Sequence, residues 1–191
     1  MAAHKQVNLG RVIEVALTLA DQHGFEAVTL GEVAGALGIR GPSLYNHISG
    51  LAGLRSEMSL WASRKLLEET RTAAVGKSGR AAIMSISNAY RAFAQAHPGV
   101  YPTVLRAPSK EEPAHAEIAV IWVDLLARVL AHYNQNEEDT LHTIRAWRSV
   151  MHGFISLEVA GGFGMPLDRD ESFRRLIALF VDGLETGQKA S

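Results

Sequence analysis

The sequence predicts an all-α protein in which a three-helix head precedes a larger helical body, about nine helices in all. Three observations carry this. Apolar residues recur at spacings of three and four along most of the chain, the period of one helix face. No run alternates apolar and polar residues between turn signals, as a half-buried strand would. Glycine and proline fall where helices must start or stop.

The elements follow in order. Leu9, Ile13, Ala16, Leu17 and Ala20 form one apolar stripe, and Gly24 ends that first helix. Thr29 followed by Glu32 has the spacing of a capping box, in which hydroxyl and carboxylate satisfy each other's backbone N–H groups. It opens a short second helix carrying Leu30, Val33, Ala34 and Leu37, and Gly38 stops it. Pro42 fits only the first turn of a helix, since its ring lacks an N–H and clashes further in. A third helix therefore starts there and runs to about Ile48. A fourth, from about Gly50 to Ala74, places Leu51, Leu54, Met58 and Trp61 on one side. After a Gly-Lys-Ser-Gly break, a helix spans Arg80 to Ala96, and an irregular, proline-marked stretch leads from Pro98 to Pro113. Long helices are expected from about Ala114 to Tyr133 and from Glu137 to Ala160. A glycine-rich loop over residues 161–166 precedes a last helix, roughly Glu171 to Thr186.

Composition narrows the function. A chain of 191 residues can bury a substantial core. The absence of cysteine excludes a disulfide framework and thiolate metal sites and suits the cytoplasm. No apolar run is long enough to span a bilayer, and the start, Met-Ala-Ala-His-Lys, lacks a signal-peptide core, so no membrane partner is expected. Eight histidines invite a metal reading, but no pair is spaced with a carboxylate as a ligand set, and neither metal nor cofactor is expected. A net charge of −1 argues against a general coating of nucleic acid, so any DNA binding must rest on local potential.

The informative segment runs from Thr29 to His47: a capped short helix, a tight turn at Gly38-Ile39-Arg40 and a second short helix. Leu30, Ala34, Leu37, Ile39 and Leu44 are spaced to pack two helices at a steep angle, and Gly38 supplies the positive φ that such a turn needs. In a helix-turn-helix the second helix lies in the major groove with its first residues toward the base edges. Those would be Arg40, Gly41, Pro42, Ser43 and Asn46. Arg40 suits a bidentate contact to guanine and Asn46 a contact to adenine. Tyr45 and His47 carry polar tips suited to phosphate oxygens. Thr29, at the start of the second helix, would offer amides and a favourable dipole to another phosphate. The residues alone leave a second reading open, a plain helical hairpin with Arg40 and Asn46 merely solvated.

Gly24-Phe25, Thr29-Leu30, Val33-Ala34, Leu37-Gly38-Ile39 and Ser43-Leu44-Tyr45-Asn46-His47 together resemble the TetR (tetracycline-repressor-like) family over about the first 55 residues. The resemblance implies a homodimeric repressor of a near-palindromic operator in double-stranded DNA, with a ligand-binding helical body. Two departures stand out. Ile48 replaces the usual aromatic after the histidine, and Leu51 replaces the usual lysine that starts the fourth helix. The first keeps an apolar plug. The second removes a phosphate contact, which shifts weight to Arg55, Arg40 and helix-end amides. Trp147, His152 and Gly153 resemble the Trp-His-Gly signature of one effector-domain group in the family.

On this reading residues 1–55 are the helix-turn-helix domain and residues 56–191 the effector-binding and dimerisation domain. In the body, aromatic and methionine stripes are either core or the lining of an apolar cavity for a small apolar or aromatic effector. The candidates are Tyr90, Tyr101, Trp122, Trp147, Met151 and Phe154, with Arg106, His115 and His142 as further polar groups. In the last helix Leu176, Phe180 and Leu184 are candidates for a two-fold interface. Two other functions compete. A protein-interaction module is supported by Leu51 and by the acidic balance of the head, with Glu14, Asp21, Glu26 and Glu32 against Lys5, Arg11 and Arg40. An enzyme is disfavoured, because no Gly-rich phosphate loop, Ser/His/Asp arrangement or paired carboxylates stand out.

Overall fold

The computed structural model describes residues 7–190 and is all-helical, with no strand among them. Lys5 lies outside the described residues. Four α-helices build the first part of the chain: α1 (Leu9–His23), α2 (Leu30–Leu37), α3 (Gly41–Leu44) and α4 (Gly50–Ala74). Four more follow: α5 (Gly79–Ala96), α6 (Pro113–Leu130), α7 (Glu137–Val159) and α8 (Arg169–Ala190). Single 3-10 turns occur at Phe25–Ala27, Tyr101–Val104 and Ala131–Tyr133. No helix among the described residues is long and apolar enough to cross a membrane.

The chain divides into two compact units. The first takes in residues up to 65 together with 95–116, and the second takes in 66–94 and 117–191. The first unit thus extends beyond residue 55 and recruits the irregular stretch after α5, which sequence reasoning placed in the body. The helices α4, α5 and α6 each contribute residues to both units.

Local chemistry fixes the head. The Asn8 side chain accepts the Arg11 N–H at 2.9 Å and caps α1. The capping box expected at Thr29 is complete: Glu32 N–H donates to Thr29 Oγ1 at 3.3 Å, and Thr29 N–H donates to Glu32 Oε2 at 3.1 Å. At the other end of α2, Gly38 adopts φ 67°, ψ 28°, and Ile39 N–H reaches back to the Ala34 carbonyl at 3.0 Å. That left-handed turn aims α3 across α2. Val12, Ala16, Ala20, Val33, Leu44, Leu54 and Met58 are all buried and form the core of this unit.

The third helix departs from expectation. Its α-helical part ends at Leu44, four residues from its start. The N–H groups of Tyr45, Asn46 and His47 then reach three residues back, to Pro42, Ser43 and Leu44, and Ile48 N–H closes the turn on Leu44 O at 3.1 Å. The segment to Ile48 is therefore wound more tightly than an α-helix, as at many helix ends. Buried Ile48 does serve as the apolar plug.

In the second unit the buried stripe of α8 is Phe173, Ile177 and Val181, and that of α7 includes Ile144, Trp147, Met151 and Phe154. A buried arginine ties the loop between them. Arg91 donates to Glu158 at 2.9 and 2.5 Å, pairs with Asp170 at 2.8 Å and lies over the rings of Phe154 and Phe173. The desolvated cation thus has two carboxylates and two aromatic faces around it.

Within the first unit the irregular stretch is pinned to the end of α1. Gly99 N–H donates to Asp21 Oδ1 at 2.9 Å, and His97 Nδ1 lies 3.6 Å from Asp21 Oδ2. A Cβ at residue 99 would fall 2.1 Å from the Ala20 carbonyl oxygen, which is backbone and has no rotamer to yield. Gly99→Ala is therefore expected to lower stability by about 1–3 kcal/mol, the range of overpacked cores. Urea unfolding with the m-value monitored checks this, and an unchanged midpoint would show that the close approach is dispensable.

Candidate nucleic-acid interface

The helix-turn-helix presents the expected residues on one surface. Leu44 is 0% exposed and anchors α3, while Pro42, Ser43, Tyr45 and Asn46 on either side of it are exposed, Tyr45 at 63%. Gly41 and His47 are half-buried at the edges of this face. Arg40 precedes α3 in an extended conformation (φ −78°, ψ 144°) and is exposed. Pro42 occupies the first turn, where its missing N–H costs no hydrogen bond. The result is a short, rigid, polar ridge whose apolar side is buried.

Two expected phosphate contacts are altered by the geometry. The polar atoms of Thr29 are engaged with Glu32, its hydroxyl donating to Glu32 Oε2 at 2.7 Å. Hydrogen bonds from the Thr29 hydroxyl and N–H hold the Glu32 carboxyl below its usual range, so it stays ionised beside the α2 N-terminus. That end retains the Leu30 and Gly31 amides, with a negative charge alongside. Arg55, expected to compensate for Leu51, is turned inward: its Nη2 donates to Glu26 O at 2.7 Å and its Nη1 pairs with the Glu26 carboxylate at 2.8 Å. Arg11 is likewise paired with Glu14 at 2.8 Å. Arg40 is left as the exposed cation beside α3. Nothing in the sequence flagged the Arg55–Glu26 pair, which joins residues 29 positions apart on different elements.

Of the body candidates, Tyr90, Trp147, Met151 and Phe154 are buried in the second unit, Trp122 is half-buried there, and Tyr101 is buried in the first. The rings of Tyr90, Trp122 and Trp147 meet at centroid distances of 6.0, 5.4 and 5.7 Å. Both indole N–H groups are satisfied from within: Trp147 Nε1 donates to Ser87 Oγ at 2.9 Å, and Trp122 Nε1 donates to Thr70 Oγ1 at 3.3 Å. Met151 and Phe154 are buried in the same unit. Beside Trp147 lies a void of about 10 Å³, no larger than one water needs, lined by Ile83, Ile86, Leu126, Ile144 and Phe180 among others. Tyr101, Arg106 and His115 belong to the first unit, and His142 is exposed on α7, 3.9 Å from Glu138.

Of the interface candidates, Leu176, Phe180 and Leu184 are half-buried, and Phe180 lines the void beside Trp147. Sequence reasoning passed over Leu179, which is 69% exposed on the outer face of α8. On α7, Ala146, Gly153 and Leu157 are exposed too, at near-helical spacing with half-buried Val150.

Comparison with known proteins places both parts of the chain. Residues 12–57 match the model described as "Bacterial regulatory proteins, tetR family", and residues 83–180 match "Tetracyclin repressor-like, C-terminal domain". An uncharacterized HTH-type transcriptional regulator of Bacillus subtilis, YobS, is 31% identical over 180 residues, covering 93% of each chain. A further uncharacterized HTH-type transcriptional regulator, from Mycobacterium tuberculosis, is 28% identical over 175 residues, covering 91% of this chain and 80% of that protein. Among solved structures, the TetR family transcriptional regulator PfmR of Thermus thermophilus superposes with a TM-score of 0.69 at 21% identity, covering 92% of this chain and 96% of its own.

The packing of the aromatic cluster has a measurable consequence. Trp147→Ala is expected to lower stability by about 3–5 kcal/mol, because it removes a buried ring and leaves Ser87 without its donor. Thermal unfolding tests this, and a loss below about 1 kcal/mol would mean that the cluster yields readily.

Proposed function

The chain belongs to the TetR family of bacterial regulatory proteins, and on that premise we propose that it is a homodimeric, effector-responsive repressor, cytoplasmic and without enzymatic activity. One observation carries the DNA half of the reading. The second helix of the helix-turn-helix is locked by buried Leu44 and holds Pro42, Ser43, Tyr45 and Asn46 outward, with exposed Arg40 at its start. This is the arrangement in which base edges are read from the first turn of a helix lying in the major groove.

Selecting the bound sequence from a random pool of double-stranded DNA supplies the operator, and the assigned roles then separate. Arg40→Ala is expected to weaken specific binding by about 1–3 kcal/mol and to relax preference at one base position. Tyr45→Phe is expected to weaken binding to all sequences alike, as a phosphate contact does. Intact affinity and preference in Arg40→Ala would move the reading face elsewhere.

The dimer reading rests on the outer face of α8, where exposed Leu179 and Gly183 lie with half-buried Leu176, and on the exposed apolar stripe of α7. Small residues at Gly153 and Gly183 allow helices of two copies to approach closely. Leu179→Glu puts a charge into a symmetric contact twice over, yet leaves the protomer core untouched. Sedimentation is expected to show a dimer for the parent chain and a folded monomer for Leu179→Glu. A variant that stays dimeric would place the two-fold axis on another surface. The effector in this reading is small and apolar or aromatic, taken up where the void beside Trp147 can widen. Quenching of tryptophan fluorescence by candidate effectors tests that part.

A further inference from the structure

The turn that feeds the helix-turn-helix is held from outside itself. Gly24 leaves α1 at φ 92°, and the 3-10 turn Phe25–Ala27 that follows has no buried residue of its own. Its backbone bonds are long: Ala27 N–H reaches Gly24 O at 3.2 Å, and Val28 N–H reaches Phe25 O at 3.4 Å. Two residues beyond it the capping box at Thr29 opens α2. The place of this turn therefore sets where α2 begins, and α2 carries α3 across the left-handed Gly38. Buried Val28 holds the exit of the turn by apolar packing.

Arg55, from the second turn of α4, holds its middle. Nη2 donates to the Glu26 carbonyl at 2.7 Å, Nη1 pairs with the Glu26 carboxylate at 2.8 Å, and the guanidinium lies over the Phe25 ring at 5.8 Å, with Nε buried. One planar fork thus grips the backbone and the side chain of a single residue, a geometry that the one nitrogen of a lysine does not reproduce. The Glu26 carboxylate is 80% exposed, and an exposed ion pair contributes little by itself. The bond to the carbonyl is the half that fixes the backbone.

We infer that Arg55 is a positioning residue for operator recognition, an assignment that rests on the DNA reading proposed above. By holding Glu26 it fixes the start of α2, and with it the stance of the ridge from Pro42 to Asn46, without itself touching DNA.

Arg55→Lys keeps the charge and loses the fork. Its affinity is measured for the duplex that the parent chain selects and for a duplex of random sequence. The ratio of the two is expected to fall at least about fivefold, the smallest loss for one disturbed base contact, with random-sequence binding unchanged. Glu26→Ala is expected to lower the same ratio, and because that side chain is exposed it keeps the test decisive if Arg55→Lys fails to fold. Were Arg55 a phosphate contact, Arg55→Lys would retain it, and Glu26→Ala would free the cation and tighten binding to both duplexes alike. An unchanged ratio in folded Arg55→Lys, or an unchanged or raised ratio in Glu26→Ala, would overturn the assignment. Amide exchange without DNA separates the clamp from the DNA reading. The Val33 and Ile39 N–H groups, bonded to Thr29 O and Ala34 O, are expected to exchange at least about threefold faster in Arg55→Lys, with Val12 unchanged. Equal rates at Val33 and Ile39 would overturn the clamp, whereas a parent chain that selects no sequence would overturn the DNA reading and operator positioning with it.

Discussion

Burial of Leu44 is the contact on which the reading surface depends. A helix of four residues cannot stand alone in water, since nucleation fixes several dihedrals before any hydrogen bond repays it. Here the cost is met by tertiary packing: Leu44 and Ile48 are buried in the head's core, and the left-handed Gly38 sets the angle at which the segment leaves α2. Everything exposed on that segment inherits its position from this anchor. Pro42 removes φ freedom at the start, and the tight turn from Tyr45 to His47 removes it at the end. Asn46 and Tyr45 are therefore presented on a scaffold that loses little further conformational freedom on docking.

Electrostatics in the head run in an unexpected direction for a DNA-binding unit. Arg11 and Arg55 are committed to Glu14 and Glu26, and ionised Glu32 sits at the end of α2 that would otherwise attract a phosphate. Among the described residues of the head, two arginines are thus engaged by carboxylates. On the proposed reading affinity comes from placed contacts, with exposed Arg40 among them.

Where the signal was local, the sequence disclosed it. The capping box at Thr29 and Glu32, the stop at Gly38, the start at Pro42 and the apolar stripes of α1, α7 and α8 each follow from residues a few positions apart, and each is present in the structure. The family resemblance extended this reading to function through the run from Ser43 to His47. Contacts between distant segments left no such trace. Asp21 meets Gly99 across 78 positions and Arg91 meets Glu158 across 67, and by sequence these could as well have been solvated charges and a loop glycine. The same blindness hid Arg55, assigned to phosphate by its place near the start of α4 and in fact held by Glu26. Leu179 was missed for a different reason. A helix with two apolar faces offers more than one stripe, and periodicity does not say which face the protomer buries.

The two units also differ in what their interiors can recognise. In the second unit the polar atoms among the aromatic rings are paired with one another, Trp147 with Ser87 and Trp122 with Thr70, and the Thr70 hydroxyl reaches back to Leu66 O at 2.7 Å. A ligand there finds no spare donor and gains mainly from apolar contact, so discrimination among apolar molecules of similar size would be modest, about one to two powers of ten per methylene. The first unit has the opposite character. An open cleft there is mixed in lining, with Phe25, Pro98 and Pro102 beside two arginine–glutamate pairs, Arg55 with Glu26 and Arg106 with Glu112.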